Sequence, residues 1–390
     1  MSDEKPEQEG FADSIFQTNT YEAPMPSQIK RNFLPWHRPS KQFVRRFQWC
    51  YEVQELIKAK PPAEGVLKYF GLPGDDLIDL RHFHSVICQA NQIKLRFLGF
   101  NTGANPKSPR QTDLNISLDE IKRLVAIDPQ SEVLGDDFAR VANQNSIAFA
   151  RTCALGPFDI INLDLCDGFG SQEPGTLADS YYDAVASLLS LQARHSSPWL
   201  LFLTTRADRV NVNDKVLQAL IDKYCTNLEQ CGEFKDASRE HFAIETREAI
   251  TQAIGTPEGL LHVFLTGLCK WFVALALEHK PPTSVEVRSV FSYRVGKQAV
   301  HEDLVSLAFK FLPTFTPVID PVGLAATPLA QTNEGVLATK ALRRVARRID
   351  ADLKLRRDAG LLQKMTDEMA SLLELARYDV DKYRAWASSN

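Results

Sequence analysis

The chain has 390 residues, 44% of them hydrophobic, with 45 Lys and Arg against 49 Asp and Glu and a formal net charge of -4. That length and apolar content bury one large core with appendages, or two modest domains, and exclude a disordered chain. So small a charge excludes a whole-molecule field that would recruit nucleic acid or an anionic membrane. The cysteines (Cys50, Cys88, Cys153, Cys166, Cys225, Cys231 and Cys269) form no Cys-x-x-Cys pair, which speaks against a disulfide framework or a zinc cage and for reduced thiols in a cytoplasmic protein without a metal site.

Residues 1–30 begin MSDEKPEQEG, acidic where a secretory signal is basic and then apolar. They read as a disordered acidic tail. A helical lead-in is expected over 31–64. In PWHRPSKQFVRRFQWCYEVQELI, Phe43, Phe47, Cys50 and Ile57 fall near helical spacing, and Lys60-Pro61-Pro62 closes the helix. From Gly65 onward apolar runs of strand length alternate with helical stretches, which predicts a mostly parallel sheet covered on both faces. Strands are expected at 66–70, 94–100, 131–134, 158–164 and 198–204, and helices at 76–91, 117–126, 138–152 and 177–194.

A helical insertion follows over about 211–280. Its apolar run GLLHVFLTGLCKWFVALALEH is interrupted by His262 and Lys270, so it reads as a buried core helix and not as a membrane span. After Pro281-Pro282, TSVEVRSVFSYRVG and LVSLAFKFL alternate with period two, and the polar link between them predicts an antiparallel hairpin. The expectation is a doubly wound, seven-stranded, Rossmann-like sheet in which the strand at 304–312 runs antiparallel at or next to the edge. A C-terminal helical extension over 316–390 completes the chain.

By order of elements, residues 65–315 resemble the class I Rossmann-like methyltransferases that use S-adenosylmethionine, whose sheet ends with an antiparallel seventh strand. YFGLPGDD is similar to that family's first glycine-rich loop, with Gly71 and Gly74 after the first strand. The third glycine and the acidic residue before the loop are missing, and Asp75 or Asp76 could cap the next helix. In LGFNTGA, Asn101 stands where the family presents a ribose-binding carboxylate. In EVLGDDF, Asp136 matches the position that contacts the adenine amino group, and Asp136 or Asp137 also suits a helix cap. FDIINLDLCDGFG matches the fourth motif by place, so the resemblance implies that Asp164 faces the substrate with Asn162 and Asp167 as neighbours, while Gly168 and Gly170 loosen the loop. The strings that mark DNA amino-methyltransferases and cytosine C5 enzymes are absent.

The lead-in, with Trp36, His37, Lys41, Arg45, Arg46 and Trp49, loosely resembles that of the three-Cys-motif partner family, bacterial methyltransferase-like proteins that often accompany mobile or defence genes. Such residues either stack on bases and neutralise phosphates or pack the helix with their cations solvated. In KALRRVARRIDADLKLRR, Arg343, Arg344, Arg347 and Arg348 share one side of a predicted helix whose apolar stripe is Leu342, Val345, Ile349 and Leu353. Three functions remain open: a methyltransferase with S-adenosylmethionine as cofactor; a scaffold that binds nucleic acid or a protein through the basic helix; and a metal-dependent nuclease built on Asp164 and Asp167.

Overall fold

The structure, a computed structural model, describes residues 29–165, 168–173, 179–278, 282–296, 300–313 and 333–389. The lead-in is one helical run, α1 (residues 39–59), π-helical over Arg45–Cys50. The alternating units follow as β1 (Val66–Gly71), α2 (residues 78–91), β2 (Lys94–Phe100), α3 (Gln111–Lys122), β3 (Glu132–Leu134), α4 (Ile147–Leu155), β4 (Ile160–Asp164), α5 (Tyr181–Gln192) and β5 (Trp199–Arg206). Each expected strand is present. The helix expected at 117–126 begins earlier, at Gln111. The one expected at 138–152 is a short 3-10 turn, Phe138–Ala142, followed by α4, because Asp137 and Ser146 each cap a separate start.

The insertion comprises α6 (Asp214–Gln230), α7 (Gly232–Phe242), α8 (Arg247–Ala253) and α9 (Pro257–Glu278). Length and composition alone would let α9 cross a membrane, but 72% of its apolar window is buried inside the protein. It is a core helix here. The hairpin strands are β6 (Thr283–Tyr293) and β7 (Leu304–Pro313), and the extension holds α10 (Glu334–Ala346), β8 (Ile349–Asp350), α11 (Ala351–Arg357), α12 (Ala359–Leu375) and α13 (Val380–Ser389).

The sheet order is β3-β2-β1-β4-β5-β7-β6-β8, parallel except for β7, which runs antiparallel to both β5 and β6. The fold is therefore doubly wound and mostly parallel. Among the described residues it has eight strands, not seven, because the two-residue β8 adds to β6. Strand alternation splits the core between the two faces. Leu67, Tyr69, Phe97 and Phe202 face α1 and α2, while Phe70, Leu98, Leu163 and Leu203 face α5, α6 and α9. A third apolar cluster, built from α12 and α13 around Tyr383, joins the sheet domain through Ile78. The extension also holds the lead-in: Lys30 N–H donates to the Arg377 carbonyl at 2.8 Å, and Asp379 N–H donates to the Lys30 carbonyl at 2.9 Å.

Candidate functional site

Strand order reverses between β1 and β4, the place where an open parallel sheet leaves a crevice beyond its strand ends. A cavity of about 400 Å³ opens there, and Gly74, Asn101, Asp136 and Asp164 all line it. Four of the seven residues expected to carry catalysis or hold the cofactor are thus gathered from the ends of β1, β2, β3 and β4. Gly71 lies beneath the wall: a Cβ on it would come within 2.6 Å of the Tyr69 ring, so glycine is required there for packing against that ring. Asn162 is buried in β4 below the cavity, and Asp167 falls outside the described residues.

Neither Asp75 nor Asp76 caps α2, which begins after Leu77 without a side-chain cap. Asp76 instead accepts from Lys30 Nζ and from the Tyr378 hydroxyl, each at 2.7 Å, which ties the glycine-rich loop to the lead-in and to the C-terminal extension. Asp75 accepts from Asn101 Nδ2 at 3.0 Å and pairs with Arg110 at 3.3 Å. The Asn101 amide also donates to the Pro73 carbonyl at 2.9 Å and accepts from Gly103 N–H at 2.6 Å. Asn101 therefore locks the loop after β2 onto the loop after β1, which engages both N–H groups of its amide and one of the two lone pairs on its oxygen. At the end of β3 the two aspartates divide the work. Asp137 caps the 3-10 turn, and the hydrogen bond found for the Asp136 carboxylate is the one it accepts from its neighbour's N–H at 2.9 Å.

The largest departure from the sequence expectation lies in α1. Two of its cations, Lys41 and Arg45, are neither solvated nor on the outer face, whereas Arg46 and Lys58 keep to the solvent side. Lys41 and Arg45 are one turn apart, each 2% exposed, and reach inward to carboxylates: Lys41 Nζ to Asp164 at 2.7 Å and Arg45 Nε to Asp79 at 2.6 Å. The Lys41 ammonium also lies over the Trp49 ring, 4.5 Å from its centroid. The same stripe continues with Gln48, which donates to the Ser306 carbonyl at 2.9 Å, whereas Phe47, expected to be buried, is 39% exposed. Burial raises the Asp79 carboxyl, but the charges of Arg45 and Lys41 outweigh that and hold it below the ordinary carboxylate range. Lys41, Arg45 and Trp36 line the cavity with Asp164, so the lead-in forms one of its walls. A Trp-Lys-rich segment before the first strand was the available signal, but nothing local in the sequence said which way its cations pointed.

The loop after β4 is tight. Gly168 has φ +86°, and a Cβ there would meet the Arg206 side chain at 3.0 Å; one on Gly170 would meet the Phe264 ring at 3.1 Å. These glycines serve close packing more than looseness.

The basic stretch 340–357 is not one helix. α10 ends at Ala346, β8 intervenes, and Asp350 accepts from Leu353 N–H to start α11. Arg343, Arg344 and Arg347 are exposed, but Arg348 turns inward to donate to His262 Nε2 at 2.7 Å and to pair with Glu258 at 3.5 Å. Leu353, expected in the apolar stripe, is 36% exposed. The four arginines thus share no common face. Reversing Arg343, Arg344 and Arg347 to Glu is expected to change stability by less than about 1 kcal/mol, whereas Arg348→Ala, which strips His262 of its donor, is expected to cost about 1–3 kcal/mol in urea unfolding.

A protein-family model described as PP_RS20740-like matches residues 30–388. The chain belongs to that family. The match runs from the lead-in to α13, so the wall formed by α1 and the clamp formed by α12 and α13 fall within the family's own unit along with the sheet. No curated protein matches the chain.

Proposed function

We propose that the chain is a cytoplasmic methyltransferase that uses S-adenosylmethionine. The observation that carries this reading is the convergence of four successive strand ends on one cavity at the reversal of strand order, in a sheet whose single antiparallel strand is the feature expected of that class. The residues fit the cofactor in a modified way. Asp136 keeps acceptor capacity for an amino group. A Cβ on Gly74 would meet nothing within 4 Å, so the backbone there stays open to close approach. Asp75, held on the Asn101 amide, supplies the carboxylate that the end of β2 lacks.

When bound, S-adenosylmethionine supplies an electrophilic methyl group on a sulfonium. The chain's part is orientation. Lys41 holds one oxygen of Asp164 and leaves the other to accept a hydrogen bond from an N–H or O–H of the methyl acceptor, which would aim that group's lone pair. Trp36, 39% exposed at the same wall, offers a face on which a flat acceptor such as a nucleobase can stack.

Calorimetric titration of the purified protein with S-adenosylmethionine tests the reading. One saturable site is expected, weakened at least about tenfold by Asp136→Ala through the loss of a charged acceptor. The absence of saturation at millimolar cofactor, or equal affinity in wild type and variant, would sink it.

A further inference from the structure

A second cavity, of about 320 Å³, shares no lining residue with the strand-end crevice and lies among α5, α6, α9 and the loop after β4. Its walls are single helix faces. Val216, Ala219, Leu220 and Lys223 follow one stripe of α6, and Phe264, Leu268 and Trp271 follow one stripe of α9. Phe169 and Tyr182 close it from the loop side. An apolar cavity of about 150 Å³ already admits benzene, so this one has room for a fused ring system.

The chamber is held open by its frame. Gly267, between Phe264 and Leu268, brings α9 onto the backbone of α6: a Cβ there would meet Leu220 Cβ at 2.7 Å and its carbonyl oxygen at 2.9 Å. Two helices in backbone contact at that point cannot close further to fill the space beside it. The space opens to solvent past Ala219 and Asp183, so water fills it until an apolar occupant displaces that water.

The wall chemistry selects the occupant. Phe169 and Tyr182 meet edge to face at 4.8 Å, Phe169 and Trp271 lie 5.5 Å apart, and Tyr182 and Trp271 meet edge to face at 6.3 Å. The Tyr182 hydroxyl is directed to the carbonyls of Phe169 and Gln172, and the Asp183 carboxylate is taken by Ser180 at 2.5 Å. The wall therefore offers ring faces and edges, and its two charged groups, Asp183 and Lys223, are of opposite sign and give no net preference for a charged ligand. A planar aromatic continues the edge-to-face pattern, whereas a flexible acyl chain gains nothing from it. We propose that this chamber binds a small uncharged aromatic molecule. The proposal is independent of methyl transfer.

The test uses the full chain and the uncharged dye N-phenyl-1-naphthylamine, which brightens in apolar surroundings. The expected result is a single saturable site from which indole displaces the dye more readily than decanol does. Ala219→Trp and Lys223→Trp place a large ring at the wall from partly exposed positions, so they are expected to lower dye affinity at least tenfold in a folded protein. Gln218→Trp, on the same helix but off the cavity, is expected to leave it unchanged. No saturable binding, equal affinity in the Ala219→Trp and Gln218→Trp proteins, or preferential displacement by decanol would each overturn the proposal.

Discussion

Replacing Arg45 by Met is expected to destabilise the protein by about 3–5 kcal/mol, because it leaves the Asp79 carboxylate buried without its partner. Both side chains are almost fully enclosed, and the guanidinium also donates to the Trp36 carbonyl at 3.1 Å, so the Asp79 carboxylate and that carbonyl lose their partner together. Removing both charges is a different matter. Arg45→Met combined with Asp79→Leu trades an ion pair for apolar contact and is expected to recover most of the loss. Urea unfolding of the two single variants and the double variant measures the coupling. A cost below about 1 kcal/mol for Arg45→Met would show that the pair contributes little to the fold. The corresponding Lys41→Met change leaves Asp164 partly exposed, so its cost is expected to be smaller while its effect on the cavity is direct.

Acid is expected to unfold the chain well above the range in which exposed carboxylates titrate. Three enclosed histidines resist protonation, each chiefly through burial: His37 falls from 6.5 to about 4, His82 to about 3 and His262 to about 4. Cationic neighbours reinforce this, Arg45 for His37 and His82 and Arg348 for His262. Two of the rings have a geometric reason as well. His37 Nδ1 accepts from Leu34 N–H at 3.2 Å and His262 Nε2 accepts from Arg348 at 2.7 Å, and neither nitrogen can do so once protonated.

These folded values lie below the unfolded one. The stabilisation is therefore complete above pH 6.5 and is lost as pH falls toward the folded values, where the unfolded chain takes up protons that the folded chain refuses. At pH 5 each histidine has removed about 2 kcal/mol, and the three together about 6 kcal/mol, which matches the whole stability of a domain at the lower end of the ordinary range and places the acid midpoint at about pH 5. His262→Gln keeps an acceptor for Arg348 without a titrating site and is expected to move that midpoint to lower pH. Equal stability at pH 7 and pH 5 would contradict the assignment. The depressed Asp79 carboxyl acts in the same direction at still lower pH.

The glycine loop and the two acidic strand ends were legible because each is a local event. A strand of β-branched and aromatic residues stops, a Gly or Asp follows, and parallel strands deliver their ends to one rim. Asn101 was legible as a departure, but its use was not. Its amide bonds reach Pro73 and Asp75 on a neighbouring loop, and those contacts exist only once β1 and β2 pair. The break in the basic stretch had a local sign that helical spacing overrode: Asp350 stands three residues before Leu353 as a helix cap, inside a segment whose arginines and leucines kept helical period.

The sequence by itself determined the succession of strands and helices, the hairpin formed by β6 and β7, and the burial of α9, since periodicity and apolar run length are properties of short segments. The tertiary structure decided the rest. It placed β7 between β5 and β6, seated Arg348 against His262, and turned Lys41 and Arg45 inward. A cation on a helix is solvated by default, and only a carboxylate delivered from a distant strand or helix can make its burial favourable. Asp164 and Asp79 are those carboxylates, brought to α1 by the folding of the sheet and of α2.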